Sequence, residues 1–279
     1  MRRIGWPVII LFLFASCSTL QTANRTLPPP FKSTPDEEKN VDRLLARWEA
    51  WNAGVKTFDC GFKRWVYDGT FGRSDQAAHI DLGTIKYAAP DHALFCIDKT
   101  EKDGNEAPIE DARAQRWAVD GKSLFEFNHT RSQLIERTLP DGVQAAKLVD
   151  GPLTFAFGVG GLSSVFGAPP CPYPFTAKAK ELKEQFYLRE TTPPANRGDQ
   201  VWLEAYPRSA RALFTPSKLE LIFRASDMSP LSAKIVQSNN KNYVVYSFFD
   251  VTVNSPPISP GDDPFHPTVP PGCRKRIAE

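Results

Sequence analysis

The sequence predicts an α+β fold, a curled antiparallel sheet with helices packed on one face, and three observations predict it. Short β-rich runs separated by turn residues recur from Gly83 to Leu139, a second set follows from Gln200 to Phe249, and one amphipathic helix precedes them both. Strands joined by short turns pair with their chain neighbours, which builds an antiparallel meander. An apolar helix face then needs a sheet to lie on. With 279 residues, 41% hydrophobic and 24% charged, the chain is long enough to bury a sizeable core in one ordered body. Its 25 prolines gather at the two ends and in one central segment, so they mark the borders of that body.

Residues 1–17 read as an export signal. Arg2-Arg3 form a basic start, Trp6 to Ala15 an apolar stretch, and Ala15-Ser16-Cys17 a small-residue cleavage region. The apolar run is short for a bilayer core of ~30 Å, so a retained span is the weaker reading. Leu13-Phe-Ala-Ser-Cys17 resembles a bacterial lipobox, which would make Cys17 the lipid-modified first residue and hold the protein on a membrane; Phe14 stands where such boxes carry Leu. Ordinary secretion with cleavage nearby fits the same stretch. Without Arg2 and Arg3 the chain carries 32 basic and 32 acidic residues. A near-neutral body without a basic face is not built for nucleic acid, so no nucleic-acid partner is expected.

Residues 18–33 are polar with Pro28-Pro29-Pro30 and read as a tether. The main domain, 34–254, then starts at a capping box: Thr34 at the N-cap, Pro35 at the first helical position and Glu37 three residues after the cap. Val41, Leu44, Leu45 and Trp48 follow at helical spacing, with Trp51 or Asn52 next, and Gly54 is a terminator. Phe58 to Tyr67 is the first strand, with Phe58, Cys60 and Phe62 on one face. Ile80 and Leu82 fall in one alternation phase and Ile85 and Tyr87 in the other, so a bulge is expected at Gly83, where one added residue inverts the phase and bends the strand. Leu94-Phe-Cys-Ile97 is apolar on both faces and should be an inner strand.

Lys99 to Ala114 is charged and irregular and reads as an exposed loop. Arg116 to Val119 and Ser123 to Phe127 flank the Asp120-Gly121 turn and lead into Gln133 to Leu139. Residues 150–175 are rich in Gly, Pro and aromatics and read as a pliable apolar flap or a loop pinned through Cys171; the glycines have no phosphate-loop spacing. Thr176 to Arg189 resumes helical spacing. Gln200 to Tyr206, Lys218 to Ala225, Leu231 to Gln237 and Asn242 to Phe249 are four further strands, the last two joined by a Ser238–Lys241 turn. Residues 255–279 read as a Pro-rich mobile tail.

Gly83-x-x-x-Tyr87-x-x-Pro90, then Asp120-Gly-Lys-x-Leu124 with Asn128 and Gln133, and later Leu219, Leu221 and Tyr246-x-Phe248 through Val253-Asn254, resemble the periplasmic lipoprotein-carrier superfamily, the LolA/LolB-like proteins. The runs Gln200–Pro207 and Asn242–Asn254 are similar to an uncharacterised secreted domain of planctomycetes within that superfamily. The resemblance implies an open antiparallel half-barrel whose concave apolar face is plugged by helices, and a non-catalytic activity in the periplasm or cell envelope, holding a lipid, an acyl chain or a lipoprotein. One departure stands out: the carriers have a basic residue just before the proline, whereas Ala88-Ala89 precede Pro90, so shuttling by that latch is not expected.

Candidate residues for such a cavity are Trp48, Phe95, Trp117, Phe125, Phe127, Leu221, Phe223 and Phe248, each of which also reads as plain core. No catalytic residues are expected. His79, His92, His129 and His266 lie in separate segments without a matching nucleophile, and Asp81, Glu126 and Glu136 read as charges on the wet face of strands. With Cys17 set aside, Cys60, Cys96, Cys171 and Cys273 allow two disulfides in three pairings, while Cys60 and Cys96 read equally as small buried strand residues. No Cys/His spacing suits a metal, and no cofactor is expected. An envelope sensor or structural interaction module with a filled core is the alternative to a lipid binder.

Overall fold

In the computed structural model, which describes residues 25–73, 75–139, 151, 153, 176–210, 216–255 and 263–278, the first helix begins at the capping box. The Thr34 hydroxyl accepts from the Glu37 amide at 3.3 Å, and the Glu37 carboxylate accepts from the Thr34 amide at 2.7 Å. Two amides that the helix itself leaves unpaired are thereby satisfied. This helix, α1 (Pro35–Gly54), buries Val41, Leu44, Leu45, Trp48 and Asn52 along one stripe.

The strands follow as β1 (Arg25–Thr26), β2 (Thr57–Asp68), β3 (His79–Ala88), β4 (His92–Lys102), β5 (Asn105–Pro108), β6 (Gln115–Asp120), β7 (Ser123–Asn128) and β8 (Gln133–Thr138). After a second helix, α2 (Ala179–Gln185), come β9 (Phe186–Thr191), β10 (Gln200–Pro207), β11 (Ser209–Ala210), β12 (Lys218–Arg224), β13 (Pro230–Val236), β14 (Asn242–Val253) and β15 (Arg274–Ala278). One open sheet runs β15-β8-β7-β6-β4-β3-β2-β14-β13-β12-β10-β9, with β5 added beside β4. Its pairs are antiparallel except β15, which lies parallel to β8. The long strand β2 joins the two meanders, pairing with β3 on one side and β14 on the other.

The bulge falls where the alternation inverts, between Leu82 and Gly83. A Cβ on Gly83 would sit 2.0 Å from the Cys96 carbonyl oxygen and 2.6 Å from Cζ of Phe62, so no other residue fits without moving backbone. Further register shifts occur at Ile222/Phe223 and Phe249/Thr252.

Four readings need correction. Lys99 to Ala114 is not simply a loop, because β4 runs on to Lys102 and turns at Asp103-Gly104, both at positive φ, into β5. An Asp-Gly pair is a hairpin signal, and the charges belong to an exposed hairpin. Helix α2 ends at Gln185, since Phe186-Tyr187-Leu188 have strand preference and pair with β10. The stretch 255–279 is not only a tail: Phe265 is buried against Leu94, Ala118, Phe125 and Leu134, and β15 extends the sheet. At the other end, residues 25–33 of the tether lie on the domain: β1 pairs with β11, and Phe31 meets Tyr206 at 5.7 Å beneath the Arg189 guanidinium.

Leu94 and Phe95 face opposite cores, as expected of an inner strand. The same alternation separates two thiols. Cys60 stands opposite Ile85 in the row that contains Phe95, whereas Cys96 stands opposite Thr84 in the next row and on the other face. They cannot bridge one another, and both are free. Burial pushes the Cys60 thiol well above its ordinary value and that of Cys96 up to about 11. Cys17, Cys171 and nearly all of the 150–175 segment lie outside the described residues.

Candidate functional site

The helix-bearing face of the sheet is one continuous apolar surface. Every strand from β7 to β9 contributes to it, ten in succession, from Leu124 through Trp117, Phe95, Ile85, Phe62, Tyr246, Ile235, Leu221 and Leu203 to Phe186. Strict alternation explains this: in β10, β12 and the first half of β2, alternate residues are buried and those between them are less so. Six of the eight candidate residues meet on this face, namely Trp48 on α1 with Phe95, Trp117, Leu221, Phe223 and Phe248 on the sheet. Trp48 packs 5.1 Å from Phe223 and 5.5 Å from Trp51, and Phe62 stacks on Phe95 at 5.2 Å. Phe125 and Phe127 do not join them. They project from β7 to the opposite face, into the second core around Phe265.

The apolar face ends at a buried polar row that the sequence reading missed. Tyr246, Arg64, Asp81 and Thr100 stand side by side on β14, β2, β3 and β4. Asp81 is 0% exposed, a correction to its reading as a wet-face charge. Arg64 donates to its Oδ2 at 2.7 Å and 3.2 Å, Arg113 approaches Oδ1 at 3.4 Å, and His79 Nε2 lies 3.5 Å from Oδ2. Arg64 shares the phase of Phe58, Cys60 and Phe62, and that signal places it inside, where its partner must follow. Glu126 and Glu136 are part-buried in pairs with Arg137 and Lys275. The Asp81 cluster is arranged as a structural ion network, with both carboxylate oxygens engaged by guanidinium groups.

Burial holds the His79 imidazole below its ordinary value of 6.5; Asp81 opposes this, and Arg64 and Arg113 reinforce it. The folded state therefore binds this proton less readily than the unfolded chain. Stability is unaffected by His79 above the unfolded value and falls as pH drops through it toward the folded one. Urea midpoints measured between about pH 8 and pH 5 should fall on the acid side, and His79→Gln should flatten part of that slope. A part remains, because burial lowers His129 likewise. An unchanged slope in the variant would show that His79 titrates freely.

Among the described residues no group of His, Cys, Asp and Glu is placed to hold a metal, and no helix is long and apolar enough to cross a membrane. The site is thus an apolar face bounded by a paired ionic row, on an open and mainly antiparallel sheet with helices on one side. No family model matches the sequence. No curated protein matches it either. Among solved structures the chain is similar to an uncharacterised conserved protein from Thermus thermophilus, with TM-score 0.44 and 11% identity over 86% of this chain and 99% of that one. It is also similar to a LolA superfamily protein from Nitrosomonas europaea, with TM-score 0.33 and 12% identity over 78% of this chain and 94% of the other. The lipoprotein LppX from Mycobacterium tuberculosis aligns with TM-score 0.37 and 9% identity, over 79% and 98% of the two chains.

Proposed function

We propose that this is a non-catalytic cell-envelope protein that holds the acyl chain of a lipid or lipoprotein against the helix-bearing face of its sheet. The observation that carries the reading is the breadth of that face. It crosses ten strands and its lining residues are all buried, with α1 packed on it through Trp48 against Phe223 and Trp51 against Phe58. Apolar surface of that extent is stable only when water is kept from it, by protein or by a hydrocarbon guest. Trp48, Phe95, Trp117, Leu221, Phe223 and Phe248 would line a half-barrel cavity, residues 150–175 would be its flap, and Cys17 would carry the lipid that anchors the protein. An anchored receptor fits this arrangement better than a diffusing carrier.

Native mass spectrometry of protein extracted from membranes tests both parts. An acylated N-terminus at Cys17 and a co-purifying lipid are the expected masses. Delipidated protein should then take up a fluorescent fatty acid at about one per chain, with a dissociation constant in the micromolar range or tighter. Protein that carries no lipid and leaves the probe free would overturn the binding reading, while an unmodified, wholly soluble mature form would overturn the anchor alone.

A further inference from the structure

The opposite face of the sheet carries a cavity of about 310 Å³, between β6, β7 and β8 and the segment that leads into β15. Its floor is Ala118, Phe125, Phe127 and Leu134, and its far wall is Pro267, Pro270 and Pro271. The wall is held at both ends. On one side Phe265 is buried and His266 Nδ1 lies 2.7 Å from Asp120 Oδ2; on the other, the Arg274 amide donates to the Ser132 carbonyl and β15 pairs with β8. Between these anchors the prolines have no N–H to give to a strand, so they arch over the sheet without closing onto it.

Two polar groups that line this cleft lack hydrogen-bond partners among the described residues. His129 sits on the rim with its ring 4.4 Å from Phe127, and its Nε2 is buried with no hydrogen-bond partner. Arg116, exposed on β6, lines the same cleft and makes no hydrogen bond or ion pair among the described residues. A buried ring nitrogen left unsatisfied is costly and calls for an occupant with a polar atom at that position. A free guanidinium at the mouth calls for an anion, and carboxylate is the shape it takes in a fork.

We propose that this cleft is a binding site for a small organic carboxylate with a flat apolar body. The body lies between Phe127 and the proline wall, the carboxylate meets Arg116 at the mouth, and His129 donates to it from Nε2. The cavity is at the small end of the ~300–1,000 Å³ of ligand pockets, a size that suits a small organic acid. The site is separate from the helix-bearing apolar face, and it stands or falls without it.

The test is ligand-observed saturation-transfer NMR on the mature chain with 3-phenylpropionate as probe, and with 3-phenylpropanol as its uncharged counterpart. Binding of the acid with a dissociation constant of about 1 mM or tighter is expected, and binding of the alcohol about tenfold weaker. Arg116→Gln, at an exposed position, should weaken the acid about tenfold and leave the alcohol unchanged. His129→Phe keeps a ring on Phe127 and should weaken the acid several-fold. Fatty-acid uptake by both variants should match the parent chain, which separates this cleft from the other face. Absence of transfer to the parent chain, equal binding of acid and alcohol, or equal binding of acid to Arg116→Gln would each overturn the proposal.

Discussion

Asp81→Ala is expected to remove about 3–5 kcal/mol of folding stability, because it leaves the Arg64 guanidinium buried beside Tyr246 without its counter-charge. Arg64 is only 6% exposed and donates twice to one carboxylate oxygen, so a water in place of Asp81 would not supply the lost counter-charge. Arg113 makes a useful internal control. Its contact with Asp81 is longer, at 3.4 Å, and its side chain is 26% exposed, so Arg113→Ala should cost no more than about 1 kcal/mol. The double change Arg64→Met with Asp81→Leu should recover most of the loss, since two apolar groups of similar volume need no partner. Urea unfolding of the four proteins distinguishes the cases. A loss below about 1 kcal/mol for Asp81→Ala would mean that the row is hydrated and that the charges are not held by the fold.

The same row shows what the sequence could and could not disclose. Elements with a local cause were legible: the capping box at Thr34 and Glu37, the phase inversion at Gly83, and the two-faced run Leu94 to Ile97 each need only their neighbours in the chain. Pairings made over long separations were not. Asp81 alternates like a solvent-facing charge until Arg64, on a strand that begins before it, is known to stand opposite. Phe125 and Phe127 alternate as cleanly as any strand residues, yet the face they occupy depends on Phe265, which returns from 140 residues away to cover Phe125. Phe186 fits a helical spacing with Leu182, and only the availability of β10 as a partner turns it into the first residue of a strand. Periodicity therefore fixes which residues share a face, while topology decides what that face meets.

Trp48→Ala should also cost about 3–5 kcal/mol, and its response to a hydrocarbon guest bears directly on the proposed function. The indole is 2% exposed, touches the rings of Trp51 and Phe223, and donates Nε1 to the Thr176 carbonyl at 3.4 Å. It therefore joins α1 to the sheet and to the residue that precedes α2. Truncation leaves a void that the helix cannot fill, because the capping box, the Arg47 bond to the Ala225 carbonyl and the Lys183–Asp42 pair hold α1 in place. An apolar void of this kind stays dry and accepts an apolar guest. If an acyl chain enters between α1 and the sheet, a fatty acid at about a hundred times its dissociation constant should return roughly 2.7 kcal/mol to the parent chain, and at least as much to the variant. Unfolding titrations with and without the fatty acid measure both effects. A destabilised variant that gains nothing from the fatty acid, alongside a parent that gains nothing either, would show a face closed by side chains alone, and the alternative of a filled interaction module would then stand in its place.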